Sequence, residues 1–305
     1  MAVAESRTYD FENTVIATNH NDSLHDAQLD YYGKRLATCS SDNSIKVFDE
    51  LDGIYQETAC LQNHSGSVWQ VSWAHPKFGS ILASCSFDKS VIIWKEISFK
   101  NWSVLYIHTA HDLSVNSISW APHEFGLCLA CASADGFLSI ISYADNTWNS
   151  SRWLAHKGGC NAVDWMPFGD NEISSGSSQR IASAGCDNLI KIWKFDQSNK
   201  WLSETPEFTL RGHEDWVRDI AWRPYFGLHS SSLASCGQDK KVLIWNFDST
   251  SGQWISKYLD ANPSIFWRIS WSLTGCILSV TANDKISLWK ENNEGKWEKI
   301  NEIVQ

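Results

Sequence analysis

Serine, histidine and aspartate recur along this chain at fixed spacings, and together they could do hydrolytic chemistry. One such set contains His64, Ser84 and Asp88. The same residue types supply the nucleophile, the base and the orienting acid of serine hydrolases. A nucleophile, however, is expected once, on an exposed elbow, and no G-x-S-x-G sequence occurs. The repetition therefore predicts a structural role for these residues and no enzyme activity.

Other chemical motifs are weak or missing in the sequence. Cys128 and Cys131 form a C-x-x-C, but residues three apart on a strand point to opposite faces. No second C-x-x-C or histidine pair completes a zinc site, and the sequence contains no P-loop, G-x-G-x-x-G or H-E-x-x-H. We therefore predict no metal and no cofactor.

The serines, histidines and aspartates belong to a repeat of about 45 to 50 residues. Five repeats place an aspartate six residues before a hydrophobic strand end, and Asn283 takes that position in the sixth. The segments are ATCSSDNSIKVF (37–48), ASCSFDKSVIIW (83–94), CASADGFLSII (131–141), ASAGCDNLIKIW (182–193), ASCGQDKKVLIW (234–245) and VTANDKISLW (280–289). Within each of the first five repeats a histidine stands N-terminal to the quoted segment, and the sixth repeat lacks it. The period and the short β-branched runs predict an all-β, six-bladed WD-repeat propeller.

The resemblance to WD repeats implies a hydrogen-bonded relay of histidine, serine, aspartate and tryptophan in each blade. Its members would be His64, Ser84, Asp88, Trp94, His111, Asp135, His156, Ser183, Asp187, Trp193, His213, Ser235, Asp239 and Trp245. Such a relay would tie the loops of each blade together, because buried polar groups need partners.

Bulk properties exclude several classes of function. The 305 residues carry a net charge of −10, so the basic surface of a nucleic-acid-binding protein is missing. No apolar stretch reaches membrane-spanning length, and the first residues do not form a signal peptide. Nine cysteines, an odd number, favour reduced thiols.

We predict a tail over 1–12 and one propeller domain over 13–305, with repeats at about 13–61, 62–108, 109–153, 154–210, 211–259 and 260–305.

The whole chain also resembles one family more closely, the small WD-repeat coat protein shared by the COPII outer cage and the nuclear pore Y-complex. The residues that carry this resemblance are LHDAQLDYYGKRLATCSSD (24–42), VSWAHPKFGSILASCSFD (71–88), VNSISWAPHEFG (115–126), GHEDWVRDIAWRP (212–224), FWRISWSLTG (266–275) and LWKENNEGKWE (288–298). The resemblance implies an open propeller that is completed by a blade donated by a partner.

The partners implied by the resemblance are the larger α-solenoid subunit of the COPII outer coat and a scaffold nucleoporin of the Y-complex. A nutrient-signalling coat complex of vacuoles or lysosomes is a third. The expected locations are the cytoplasmic face of COPII vesicles, the ER exit sites and the nuclear pore, with membrane contact only through the assembly.

The chain ends bear on whether the ring closes. The segments TVIAT (14–18) and WEKINEIV (297–304) both have strand character, which gives one strand more than six blades of four need. We predict partner contacts at Val15, Ile16, Ala17, Trp267 and Trp289.

Two alternatives to the coat protein remain. One is the sister propeller of the Y-complex. The other is a closed peptide-binding adaptor, which would want a basic or aromatic central pocket, and the candidates Arg218 and Arg268 are too few to argue it.

Overall fold

The computed structural model of the chain describes residues 15–169, 179–196, 201–203, 205–224, 231–261, 264–283, 285–292 and 294–304. The tail predicted for 1–12 and the polar run 171–178 lie outside these residues. The described chain is all-β apart from two single-turn 3-10 helices, Pro76–Phe78 and His123–Phe125. The predicted fold class, a six-bladed propeller, is confirmed.

Each blade is an antiparallel sheet whose strands follow one another in the chain. The first blade contains β1 (Leu24–Leu29), β2 (Arg35–Ser40), β3 (Ser44–Leu51) and β4 (Ile54–Gln62). The second contains β5 (Val68–Trp73), β6 (Ile81–Ser86), β7 (Val91–Ser98) and β8 (Asn101–His108). The third contains β9 (Val115–Trp120), β10 (Cys128–Ser133), β11 (Phe137–Ala144) and β12 (Thr147–Leu154).

The remaining blades repeat this plan. The fourth contains β13 (Cys160–Trp165), β14 (Gln179–Gly185) and β15 (Leu189–Asp196), whose outer edge pairs with both β16 (Trp201–Leu202) and β17 (Phe208–Arg211). The fifth contains β18 (Val217–Trp222), β19 (Ser232–Gly237), β20 (Lys241–Asp248) and β21 (Gln253–Ala261). The sixth contains β22 (Phe266–Trp271), β23 (Ile277–Ala282), β24 (Lys285–Glu291) and β25 (Trp297–Val304).

The chain ends differ from one another. The C-terminal segment forms β25 and pairs with β24 as the outer strand of the sixth blade, as its sequence predicts. Residues 15–18 form no strand, so the strand predicted over 14–18 is wrong for the described part. Each blade is therefore built from one continuous stretch of chain, and within the described ranges no terminal strand is exchanged between blades.

The hydrophobic core lies between the blades. Five buried clusters each join two successive blades: first to second, second to third, third to fourth, fourth to fifth, and fifth to sixth. Alternate residues of a strand point to opposite sides of the sheet, and in these blades both sides carry apolar residues. Among the described residues, no buried cluster joins the sixth blade to the first.

Candidate functional site

The repeated polar residues meet inside the second, fourth and fifth blades. In the second, His64 Nδ1 lies 2.9 Å from Asp88 Oδ2 and its Nε2 lies 2.8 Å from Ser84 Oγ. Trp94 Nε1 donates to the same Ser84 Oγ at 2.9 Å. The chain takes this shape because the histidine precedes the inner strand, the serine lies on the second strand, and the aspartate occupies the turn before the third.

The fourth and fifth blades repeat this arrangement. His156 contacts Asp187 at 2.7 Å and Ser183 at 2.8 Å, and Trp193 donates to Ser183. The fifth blade contains the same contacts between the residues His213, Asp239, Ser235 and Trp245. Gly185 is required beside this relay, since a Cβ there would lie 2.4 Å from Cγ of His156.

The pKa shifts favour a charged Asp88 in the second blade and a charged Asp187 beside a neutral His156 in the fourth. Burial raises the pKa of Asp88, but hydrogen bonds with His64 and Ser90 outweigh it and hold that pKa well below its usual range. The pKa of His156 is lowered by burial, although Asp187 raises it. The hydrogen bonds therefore stabilise the carboxylate form of the aspartate.

A substrate has no access to the serines of these sets. Ser84, Ser183 and Ser235 are fully buried, and each Oγ already contacts both a histidine and a tryptophan. Nucleophilic catalysis needs an oxygen that a substrate can approach. The geometry of these sets is that of structural hydrogen bonds.

The other three blades depart from the pattern. In the first, His20 contacts Asp42 and Thr38, and Phe48 stands where the tryptophan would be. In the sixth, which has no histidine, Trp289 Nε1 donates to Ser287 at 3.0 Å.

In the third blade the serine and the tryptophan of the relay are both replaced. Cys131 stands where other blades have the serine, and Ser139 on the neighbouring strand supplies the hydroxyl instead, 2.8 Å from His111 Nε2. Asp135 contacts the other ring nitrogen of His111 at 3.0 Å. His108 of the second blade also reaches Ser139, at 3.2 Å. Burial, with a smaller effect of His111, lowers the pKa of His108 to about 4.

Among the described residues, no group of three or more histidine, cysteine or acidic side chains could hold a metal ion. Cys128 and Cys131 belong to clusters on opposite faces of their strand, and burial raises the pKa of the Cys131 thiol. In the part of the chain that the structure describes, no helix is long and apolar enough to span a membrane.

The inner strands distinguish the junction between the sixth and first blades from the other five. Their first residues pack against the preceding blade and are 0 to 1 % exposed in five blades: Val68, Val115, Cys160, Val217 and Phe266. The equivalent Leu24 of the first blade is 46 % exposed. Leu29, at the end of the same strand, is exposed as well. The face of the first blade that should meet the sixth is therefore partly uncovered.

The third strands show the same contrast from the other side. Two positions on each face the following blade and are buried in blades one to five. These residues are Ile45 and Val47, Val91 and Ile93, Leu138 and Ile140, Ile190 and Ile192, and Val242 and Ile244. In the sixth blade the equivalents are Ile286 and Leu288, and both are only half-buried. Two apolar sheet faces thus border the same gap, which is the candidate functional site.

The residues predicted to contact a partner are scattered. Val15 is 94 % exposed, and Val15, Ile16 and Ala17 belong to no strand. Trp267 is half-exposed and lines the central cavity of the ring. Trp289 is 8 % exposed, because it packs in the cluster between the fifth and sixth blades. It points away from the gap, and its contact with a partner stays a prediction.

The gap-lining residues Leu24, Leu29, Ile286 and Leu288 were not predicted from the sequence. Leu24, Ile286 and Leu288 are apolar like their equivalents in other blades, so composition does not distinguish them. Leu29 stands where the other five blades have tryptophan, which was one available signal. The other signal was positional: in a ring without strand exchange, the first and last repeats each have one face with no neighbour in the sequence.

These features define a class of protein, the WD-repeat β-propellers. The family described as WD domain, G-beta repeat matches residues 13–49, 55–95, 102–142, 149–194 and 204–246, more than half of the chain. A curated protein of Drosophila melanogaster, "Protein SEC13 homolog", is 45% identical over 298 residues, which cover 94% of this chain and 82% of the relative.

Two fungal relatives named "Protein transport protein SEC13" are similar to the same degree. The one from Mycosarcoma maydis is 45% identical, with 94% of both chains covered. The one from Emericella nidulans is 45% identical, with 94% of this chain and 97% of the relative covered. The chain belongs to the SEC13 family of WD-repeat proteins.

Proposed function

We propose that the chain is a non-enzymatic scaffold subunit of the COPII vesicle outer coat, acting in protein transport from the ER to the Golgi. Its partner would be the larger, α-solenoid subunit of that coat, which would insert one blade between the sixth and first blades. The names of the fungal relatives support a role in protein transport. The chain would work on the cytoplasmic face of ER-derived vesicles and at ER exit sites.

One observation carries the proposal: apolar positions that are buried at five blade junctions are left uncovered at the sixth. Leu24 on one side is exposed, and Ile286 and Leu288 on the other are half-buried, although their equivalents in the other blades are buried. Exposed apolar faces of this kind are typical of protein interaction sites. A single inserted sheet could contact both faces at the usual spacing of packed sheets, about 10 Å.

The expected interface is that of a permanent complex. A donated blade buries two sheet faces, on the order of 2,000 Å² in total. That area and its apolar character favour a partner that stays bound. The isolated chain should accordingly be poorly soluble or heterogeneous in solution.

The test is co-expression with the blade segment of the larger coat subunit. Leu24→Asp and Leu288→Asp should each abolish co-purification, because a carboxylate would be buried without a partner in the new interface. Ile255→Asp is the matched control. Ile255 is 52% exposed on the outer strand of the fifth blade, away from the gap.

Co-purification that survives both gap variants, or is lost equally in the control, would contradict the proposal. So would a stable monomer of the isolated chain whose first and sixth blades exchange amide hydrogens no faster than their neighbours.

We propose a second home for the same surface, the nuclear pore Y-complex, where a scaffold nucleoporin would donate the blade. The family resemblance supports it, and the nutrient-signalling coat complex would use the gap in the same way. Pull-down from cell extract, with the Leu24→Asp variant as the negative control, tests all three. If the Leu24→Asp variant loses one of these three complexes and keeps the others, the complexes that are kept bind to another surface of the chain.

A further inference from the structure

The second residue of every inner strand lines a cavity at one end of the central channel. These six residues, one per blade, are His25, Trp69, Asn116, Asn161, Arg218 and Trp267. The cavity has a volume of about 560 Å³, within the range of ligand-binding pockets. One side of the ring is aromatic, with Trp69 and Trp267, and the other is polar, with Asn116, Asn161 and Arg218.

Arg218 is held rigidly at this cavity. Its guanidinium carbon lies 5.1 Å from the ring centre of Trp216 and 4.8 Å from that of Trp267, so it is placed beside two indoles. Both tryptophans are half-exposed. Trp267 is itself fixed by a hydrogen bond from its Nε1 to Asn283. The cation is therefore positioned before any ligand arrives, which reduces the entropic cost of binding.

No described residue neutralises the charge of Arg218 through an ion pair. Its described hydrogen bond goes to a neutral group, Oε1 of Gln238 at 2.6 Å. Its Nε is buried and has no hydrogen-bond partner. Among the described residues, no carboxylate lies within ion-pair distance of it.

The second arginine of the cavity shows what a neutralised cation looks like in this molecule. Arg268 donates to the carbonyl oxygen of Trp69 at 3.0 Å. Asp26 and Asp219 lie near it deeper in the channel and raise its pKa through their charge, although burial acts against this. In the part of the chain that the structure describes, no such carboxylates lie beside Arg218, so its charge is available to pair with an anion of a ligand.

We propose that this cavity binds a short peptide segment of another protein, in which an acidic side chain stands next to an aliphatic one. The carboxylate would accept hydrogen bonds from Arg218, and the aliphatic side chain would pack on Trp69 and Trp267. Charged hydrogen bonds to an arginine fork are among the strong ones. The net charge of −10 repels an acidic peptide from the chain as a whole. Binding of such a peptide would therefore depend on the local charge of Arg218.

The test compares two peptides on the full-length chain by fluorescence anisotropy. One labelled heptapeptide carries a single glutamate between two leucines, and its twin carries glutamine in that place. The glutamate peptide should bind about tenfold more tightly at low salt, and this preference should shrink as the ionic strength rises.

Two variants and one control locate the site. Arg218→Gln should remove the preference for glutamate, and Trp267→Ala should weaken both peptides alike. Arg211→Gln, which changes an exposed arginine on the outer strand β17, should leave both affinities unchanged.

Equal affinity for the two peptides in the unmodified chain would overturn the proposal. So would a glutamate preference that survives Arg218→Gln in a variant whose circular dichroism is unchanged. The cavity is lined by this chain alone, so either failure leaves the proposed insertion of a partner blade untouched.

Discussion

The junction between the first and second blades and the junction between the sixth and first use the same kinds of residue with opposite results. At the packed junction Val68, Val71 and Leu82 are fully buried, and Trp73 Nε1 donates to the Gln28 carbonyl of the first blade at 3.1 Å. At the other, Leu24 and Leu29 are exposed. The absence of a neighbouring sheet is the main difference, and the residues differ as well, since Leu29 stands where the second blade has Trp73.

The contrast extends to the side-chain-to-backbone hydrogen bonds between neighbouring inner strands around the channel. At each packed junction a side chain of one inner strand accepts from a backbone N–H of the next. Examples are Asp26 with Val71 at 3.2 Å, Gln70 with Ile118 at 2.8 Å, and Asp219 with Ile269 at 3.0 Å. The position of Asp26 is taken by Arg268 in the sixth blade, and a guanidinium cannot accept such a bond. The sixth blade is therefore chemically different on the side where the packed ring ends.

A buried charge gives the largest expected effect. Val68→Asp should cost more than about 4 kcal/mol of unfolding free energy, because the carboxylate would be enclosed between two sheets without a partner. Leu24→Asp, at the equivalent position of the first blade, should cost less than about 1 kcal/mol, as its side chain keeps contact with water. Urea denaturation of both variants checks this. A similar loss in both would mean that the gap is closed in solution.

Cavity formation tests the third strands in the same way. Ile93→Ala should cost about 3 kcal/mol, since it leaves a void between the second and third blades. Leu288→Ala, at the equivalent position facing the gap, should cost about 1 kcal/mol or less in the isolated chain. In the complex with a donated blade the two losses should become alike, which thermal unfolding with and without the partner would reveal.

Mild acid should act on a packed junction, where His108 bridges the second and third blades. Its pKa is about 4 in the folded chain, whereas an unfolded histidine titrates near 6.5. The unfolded state then binds the extra proton, so stability is full above about pH 6.5 and falls as the pH drops towards 4, by about 3 kcal/mol at most. His108→Gln should reduce this slope. If the melting temperatures of the His108→Gln variant and of the unmodified chain fall equally between pH 7 and 4, the assignment to His108 is contradicted.

The smallest effect is expected from an ion pair across the packed junction. Arg35 of the first blade contacts Glu96 of the second at 2.7 Å and lies beside the rings of Trp73 and Trp102. Glu96→Gln should cost about 1 kcal/mol or less, since the pair is partly solvated. Arg35→Met should cost more, because it also removes the ion pair with Asp49 and takes the guanidinium away from beside the two indoles. Equal losses would show that the charge, and not the stacking, matters.

The repeated parts of this fold follow from the sequence, and the exceptions to the repeat do not. The spacing of His64, Ser84, Asp88 and Trp94 predicts which residues meet, because a recurring set in a short-stranded repeat has one common geometry. The use of Ser139 in place of Cys131 depends on which residues pair across two strands. Spacing from the aspartate alone does not give that register.

The gap is a second feature that lies beyond the sequence pattern. Leu24 and Leu288 have the apolar character of their equivalents, so their exposure depends on the absence of a neighbouring blade. The predicted contacts at Val15, Ile16 and Ala17 rested on strand character near the N-terminus, and residues 15–18 form no strand. Local propensity gave no information on whether a partner strand exists for that segment to join.

Because every blade is made from one uninterrupted stretch of chain, each can be completed during synthesis soon after its fourth strand leaves the ribosome. A propeller closed by strand exchange must instead hold its last blade unfinished until both ends of the chain are available. Here successive blades can dock in order, with contacts that are close in sequence and a modest entropic cost for each step. The sixth blade then presents its free face once its outer strand β25 has paired with β24, which is when a partner blade could first occupy the gap.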